Sequence, residues 1–438
     1  MKSACLVVHN YLSQDPRARR EAEALLSDGW SLDVVCLRGP GEPKQERWNG
    51  ATVHRLPVSR HRGAGTAIYM AEYAAFLALA ATKIAFLDLR RRYELVQAHN
   101  VPDALVFAAL APRLRGARVV LDVRDPLPDL YVSKFGGDER HPVVRAARWV
   151  EAASVAFADH VLTPNEPSRQ RLLGRGLPAD KITNVLNSPD PRLFAPVARA
   201  PKPDGAFTLV YHGGLFERYG LDVAVRAVDR LRDRMPGLRL KIAGIGEELE
   251  NLRALVAELK LDDRVSLPGW IDPEAIREFV ADADLGVVPY RQDSFTDLIY
   301  PTKAFEYVAM GRPVVMSRLA GVVDLFGEMP DLFVAPGDVD DLAERIWQLH
   351  REPARLEALT QALANACRPL SWEGQRRVYL DVVDRLTTAP TMSFRGGAAD
   401  EESRPSRGHA ALVVANPVEI PRSARNDIPA APMRAEAA

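Results

Sequence analysis

YPTKAFEYVAMGRPVV, residues 300–315, reads as a short apolar helix that ends at Gly-Arg-Pro and passes directly into a β-branched pair. Phe305, Val308 and Ala309 have the i, i+3, i+4 spacing of a buried stripe. Lys303 and Glu306 fall one turn apart on another face. A helix feeding straight into an apolar strand is half of a βαβ unit, and the rest of the chain repeats it.

Upstream, CLVVH, LDVVCL, ELVQAH, ARVVLDV and HVLTP are continuous apolar runs, the pattern of strands covered on both faces. Helical segments separate them. In PRARREAEALLSDG, Asp15 is placed to cap, Pro16 suits the first turn and Gly29 the end. The rhythm stops at PVARAPKPDGA, which reads as a linker over 196–206. It restarts with FTLVYHGG, LRLKIAGIG, RVSLPGW, DLGVVPY, RPVVMS and DLFVAP. The expectation is an α/β protein of two doubly wound parallel-sheet domains, 1–195 and 207–370, then a last helix over 371–388. Residues 389–438, rich in Pro, Ala, Gly and Ser, read as a disordered tail.

With 438 residues, 47% of them hydrophobic, the chain can fill two cores. Its 57 Lys and Arg balance 58 Asp and Glu, so no basic field draws it to nucleic acid. Three cysteines, Cys5, Cys36 and Cys367, make no disulfide framework and suit a reducing cytosol. MKSACLVVHNY enters a strand without a signal-peptide pattern, so a cytoplasmic location is expected. The apolar segment 66–93 is interrupted by Glu72 and Lys83 and ends in Arg90, Arg91 and Arg92. Two readings stand for it: a core helix on a sheet, or an interfacial helix making peripheral contact with the inner face of the cell membrane.

Ligands in open α/β sheets lie beyond the carboxyl ends of the strands. Three loops there have unusual chemistry. In YHGGLFERYGLD, Gly213 and Gly214 allow close backbone approach and Arg218 supplies a cation; the alternative is a plain turn with a solvated arginine. AGIGEELENL places Gly244, Gly246 and Glu247 at a second strand end, again either site or turn. The third loop starts the quoted helix, where Pro301 leaves the amides of Thr302, Lys303 and Ala304 open at the positive end of the dipole. Lys303 beside those amides suits a diphosphate, and Glu306 one turn deeper suits a sugar diol. A simple i, i+3 ion pair is the competing reading. A lysine at a helix N-terminus opposes the dipole unless an anion is close, which favours a nucleotide diphosphate.

Taken in order, DPRARREAEAL, AHNVPDALVFAAL, LDVRDPLPDLYVSKFG, YHGGLFERYGLD, GIGEEL, YPTKAFEYVAMGRPVV and SWEGQRRVYL make the chain resemble the retaining GT4 glycosyltransferases over roughly residues 1–388. The resemblance is to the branch of bacterial cell-surface polysaccharide synthesis. It implies the GT-B fold, two Rossmann-like domains facing a cleft with the last helix crossing back onto the first. It further implies a UDP- or GDP-linked sugar donor, a surface-polysaccharide or lipid-linked glycan acceptor, hexosyl transfer without a metal, and no cofactor. Arg218, Thr302 and Lys303 would meet the donor diphosphate and Glu306 its ribose.

Two departures from the family pattern stand out. Leu298 occupies the position of an earlier glutamate that contacts the transferred sugar, with Asp293 and Asp297 nearby as substitutes. Arg124 stands where relatives carry a histidine; it cannot act as a base but can hold a phosphate or a hydroxyl. His99 is then the first-domain histidine best placed for the cleft. Asp15, Arg17, Asn100, Asp125 and Asp129 are the acceptor-side candidates, with Asp122 beside them. Two other functions remain open at this stage: an epimerase of the same fold, and a binding protein that has lost transfer.

Overall fold

The computed structural model describes residues 2–60, 66–135, 140–198, 202 and 206–388. The expected disordered tail and most of the expected linker lie outside these residues.

The first sheet is built from β1 (Ser3–Val8), β2 (Ser31–Leu37), β3 (Gln45–Trp48), β4 (Ala51–Leu56), β5 (Leu95–His99), β6 (Arg118–Asp122), β7 (His160–Thr163) and β8 (Ile182–Asn184). Its helices are α1 (Pro16–Ser27), α2 (Thr66–Arg91), α3 (Leu110–Leu114), α4 (Leu127–Phe135), α5 (Pro142–Phe157) and α6 (Glu166–Gly174). The strand order is β3-β4-β2-β1-β5-β6-β7-β8. All pairs are parallel except β3 with β4, so the expected all-parallel sheet carries one antiparallel edge strand.

The second sheet comprises β9 (Phe207–His212), β10 (Leu238–Ala243), β11 (Val265–Gly269), β12 (Leu285–Val288), β13 (Val314–Ser317) and β14 (Phe333–Val334). It runs β11-β10-β9-β12-β13-β14 and is parallel throughout. Around it lie α7 (Leu221–Leu231), α8 (Leu249–Glu258), α9 (Pro273–Ala281), α10 (Thr302–Ala309), α11 (Ala320–Phe326), α12 (Val339–Arg351) and α13 (Pro353–Cys367). The chain ends its described course in α14 (Trp372–Thr388).

Local rules account for the element ends. Asp15 accepts from the Ala18 amide at 2.9 Å with Pro16 in the first turn, and Gly29 follows the helix at φ +83°. Register then sets the sites. In the first sheet Val8 pairs with His99 and His99 with Asp122, so three strand ends meet at the carboxyl edge. In the second, His212 pairs with Ala243, which brings Gly213 alongside Gly244.

Apolar residues fill both faces of the first sheet and the core of the second. α14 packs Tyr379, Leu380, Val382 and Val383 against α1 and the first sheet, the return crossing that the resemblance implies. Its Tyr379 hydroxyl donates to the Gln97 carbonyl oxygen at 2.9 Å in a buried setting. Tyr379→Phe should therefore leave that acceptor unpaired and lower unfolding stability by about 1–3 kcal/mol. Tyr379→Ala should cost roughly 3–5 kcal/mol, both read from urea midpoints.

Candidate functional site

Lys303 does not pair with Glu306. Its side chain is 7% exposed and its ammonium lies 4.8, 5.2 and 4.9 Å from the ring centres of Tyr211, Tyr219 and Tyr290, donating also to the Tyr290 hydroxyl. Tyr219 and Tyr290 stack at 4.4 Å. Glu306 turns instead to His212, whose Nε2 is 2.7 Å from its Oε2, while the His212 amide donates to Tyr307. The helix ion pair is thus replaced by an aromatic box around the cation and a histidine for the carboxylate. Burial pulls the Lys303 amine down to about 8, against the opposing pull of Glu306.

The turn after β9 is tailored to this lysine. Gly213 has φ +128°, and a Cβ there would lie 3.2 Å from the Lys303 Cε. Gly244 and Gly246 have a reason internal to the protein: a Cβ on either would fall 1.8 Å from the Gly213 carbonyl or 2.0 Å from that of Leu215. The two loops run side by side, with Gly213 donating to Ala243 and Leu215 to Ile245. Glu247 is exposed. Arg218 lies over Phe295 at 5.4 Å.

At the start of α10 no side chain caps the helix. One expectation is corrected: the Ala304 amide is bonded to the Pro301 carbonyl at 2.9 Å, because the first turn tightens. The amides of Thr302 and Lys303 have no partner among the described residues. Asp293 and Asp297, weighed as substitutes at Leu298, cap backbone instead. Asp293 accepts from Phe295 and Thr296, and Asp297 from Ala320.

The first-domain half centres on Asp122. Its carboxylate takes two bonds from Arg17 at 2.8 and 2.7 Å, with His99 at 2.9 Å and Arg124 at 3.1 Å. Arg124 also donates to Asp15 at 2.6 Å and reaches His99 at 2.8 Å. Arg17 is 3.2 Å from Glu21, which accepts from Gln97. Burial would raise the Asp122 carboxyl, but Arg17 and the bonds from His99 outweigh it and hold it well below the ordinary range. Glu21, His99 and Asp122 have oxygens and nitrogens close enough for a shared ion. Here Asp122 is already the acceptor for two guanidiniums and an imidazole, so the arrangement is an ion-pair network.

This network corrects several acceptor-side assignments. His99, Arg17 and Asp15 are buried within it, bonded to Asp122, to Arg124, to the Val185 carbonyl and to the Ala18 amide, and so are not exposed for an acceptor. Asn100 shapes the loop through Asp103, Asp125 and the Arg124 amide. Asp129 is turned to Arg171 and Arg175 of α6 and its following turn. Arg124 and Asp125 remain partly exposed. Burial raises the Asp125 carboxyl, opposed by Arg124 and, from the second domain, by Arg218. Asp125 of the first domain and Arg218 of the second are thus within electrostatic reach of each other.

Sequence reasoning missed Arg20 and the tyrosines. Arg20 is buried, donates to Asn187 at 2.5 Å, stacks on Trp372, and is drawn down to about 10 by burial and Arg17 while Asp190 and Glu306 oppose. Its place in PRARRE, one turn past Pro16 and beside Arg17, was the available signal. For the box, the signal was tyrosine at both ends of YHGGLFERY.

Two family models match, a glycosyl transferase 4-like domain over residues 14–188 and glycosyl transferases group 1 over residues 206–352. The chain belongs to the GT4-type glycosyltransferases of GT-B fold. The 2-deoxystreptamine glucosyltransferase of Streptomyces kanamyceticus is 27% identical over 362 residues, 78% of this chain and 91% of that protein. A putative colanic acid biosynthesis glycosyltransferase, WcaL of Escherichia coli K12, is 28% identical over 40% of this chain and 44% of its own length. Among solved structures, a sucrose-phosphate synthase of Thermosynechococcus elongatus superposes with a TM-score of 0.71 at 20% identity, over 89% of this chain and 100% of that one. Anabaena HepE in complex with UDP gives 0.64 at 15%, over 88% and 100%. These two likenesses speak for the fold.

The low Lys303 pKa has a consequence for stability. The unfolded chain holds this proton more tightly, so between pH 8 and the ordinary 10.5 the fold gains stability as pH rises. Lys303→Met should be more stable than the wild type at pH 7 by up to roughly 3 kcal/mol. That advantage should shrink towards pH 10 in paired urea titrations.

Proposed function

We propose that this transferase moves a hexose-type unit from a nucleotide diphosphate sugar, with retention at the anomeric carbon, to a surface-polysaccharide or lipid-linked glycan acceptor. The observation that carries the donor assignment is the buried Lys303 ammonium, which makes no ion pair among the described residues and lies against the Gly213 turn, at the start of a helix whose Thr302 and Lys303 amides have no partner among those residues. A diphosphate supplies the missing anion. HepE, solved with UDP and with UDP-glucose, supports that class of donor. The name of WcaL supports a polysaccharide role. The comparisons lend nothing to the epimerase or binding-only readings.

In this mechanism Lys303, Arg218 and the amides of Thr302 and Lys303 stabilise charge on the departing diphosphate. Glu306, oriented by His212, accepts hydrogen bonds from the donor ribose. The donor phosphate takes the proton of the attacking hydroxyl on the same face. Arg124 and Asp125 receive the acceptor from the opposite wall. With two side-chain cations and helix amides on the leaving group, no metal is required. The chain acts in the cytoplasm, where its three free thiols stay reduced.

Nucleoside diphosphate release and sugar transfer to a polyprenyl-linked acceptor, with the anomeric configuration of the product read by NMR, test the proposal. Retention is expected, and Glu306→Ala should lower kcat/KM about 10- to 100-fold through lost ribose bonds. An inverted product, or turnover indifferent to Glu306, would refute it.

A further inference from the structure

α2 is apolar on both sides. Phe76, Ala80, Ile84 and Leu87 are buried against the first sheet at helical spacing. On the outer side Met70, Leu79, Phe86 and Leu89 are exposed, Leu89 to 69%. Ile68–Arg91 is long and apolar enough to cross a membrane by length and composition. Its inner face is committed to the sheet, so the helix lies along the domain. The exposed apolar character continues onto α3, packed against α2, where Leu114 is 79% exposed. On α5, which like α2 packs on the 103–109 turn, Trp149 is 73% exposed.

Charge is sorted across the same layer. Every acidic residue borne by α2, the 103–109 turn, α4 and α5 is buried: Glu72, Asp88, Asp103, Asp129 and Glu151. They turn inward to His9, Arg115, Asn100, Arg171 and Arg175. Arg90 of α2 and Arg145 of α5 are exposed and Lys83 half-buried, and just past α2 Arg92 and Glu94 are both exposed. Among the described residues, the outward face of these helices is therefore apolar and cationic and carries none of their own carboxylates. The same face of a second copy would meet it with the same sign of charge, whereas anionic headgroups over an acyl boundary complement it. The face also adjoins the site: Glu72 of α2 is 3.1 Å from His9, one residue beyond β1 at the sheet edge where His99 and Asp122 meet.

We propose that α2, with α3 and α5, docks the protein on an anionic lipid surface. Leu89, Phe86, Leu114 and Trp149 enter the acyl boundary, and Lys83 and Arg90 lie among headgroups. A lipid-linked acceptor then reaches the cleft from the bilayer; this last step alone rests on the transfer reading above.

Co-sedimentation of the full chain with phosphatidylglycerol/phosphatidylcholine vesicles tests the surface. The wild type should bind these vesicles and bind phosphatidylcholine alone at least about tenfold more weakly. Met70→Glu with Leu89→Glu, both at exposed positions, should lose binding about tenfold or more; Lys83→Gln with Arg90→Gln, or about 0.5 M salt, should weaken it. Unchanged nucleoside diphosphate binding by the variants checks their fold. Vesicle binding that is absent, or equal in the variants, overturns the proposal. So does self-association that Leu89→Glu abolishes without any vesicle binding, which would give the face to a second copy. If vesicles bind but no nucleoside diphosphate does, the transfer reading falls and the docking surface stands.

Discussion

A buried ammonium that makes no ion pair among the described residues is the constraint around which the second domain is organised. Lys303 is held by three tyrosine faces and one phenolic oxygen, and cation–π attraction of about 2 kcal/mol for a desolvated contact offsets only part of the burial cost. Its depressed pKa is the residue of that imbalance. Gly213 exists in the left-handed region to leave room for the lysine's stem, and Gly244 and Gly246 let the neighbouring loop press against that turn. The fold keeps an energetically unfavourable cation at a helix start, where only an anionic ligand makes it favourable.

The first domain solves the opposite problem. Strand register forces His99 and Asp122 together, and Asp15, Glu21, Arg17 and Arg124 close a nearly balanced network around them. Its opposite charges pair with one another, and the wall they form presents Arg124 and Asp125. α14 ties this wall down through Tyr379 and Gln97. One domain thus offers an unsatisfied charge and the other a pre-set surface opposite it, the preorganisation that phosphate-leaving transfer requires.

Much of the fold was legible because buried parallel strands are written as continuous apolar runs. The elements that were not read have physical reasons. Gln45–Trp48 and Ile182–Asn184 are short edge strands with little to bury. Ala51–Leu56 hides His54 and Arg55 by pairing them with Asp33, Glu42 and Glu46, so its polar letters disguise a buried strand. At the site, glycines and the helix start are local signals that a sequence displays directly. The partners of Lys303 and Asp122 are not local: Arg17 lies 105 positions from Asp122, and Tyr290 is 13 from Lys303 across a turn. Spacing rules see a helix face, so they offered Glu306 as the partner that folding gives to His212.

A diphosphate, we propose, completes the charge of Lys303. The most direct test is a calorimetric titration of the purified protein with UDP, GDP and ADP at pH 7 and pH 9, with Lys303→Met beside it. One nucleoside diphosphate should bind, with proton uptake at pH 9 as the lysine recovers its charge, and the variant should lose both the affinity and the uptake. Equal affinity in Lys303→Met, or no binding of any of the three, would contradict it.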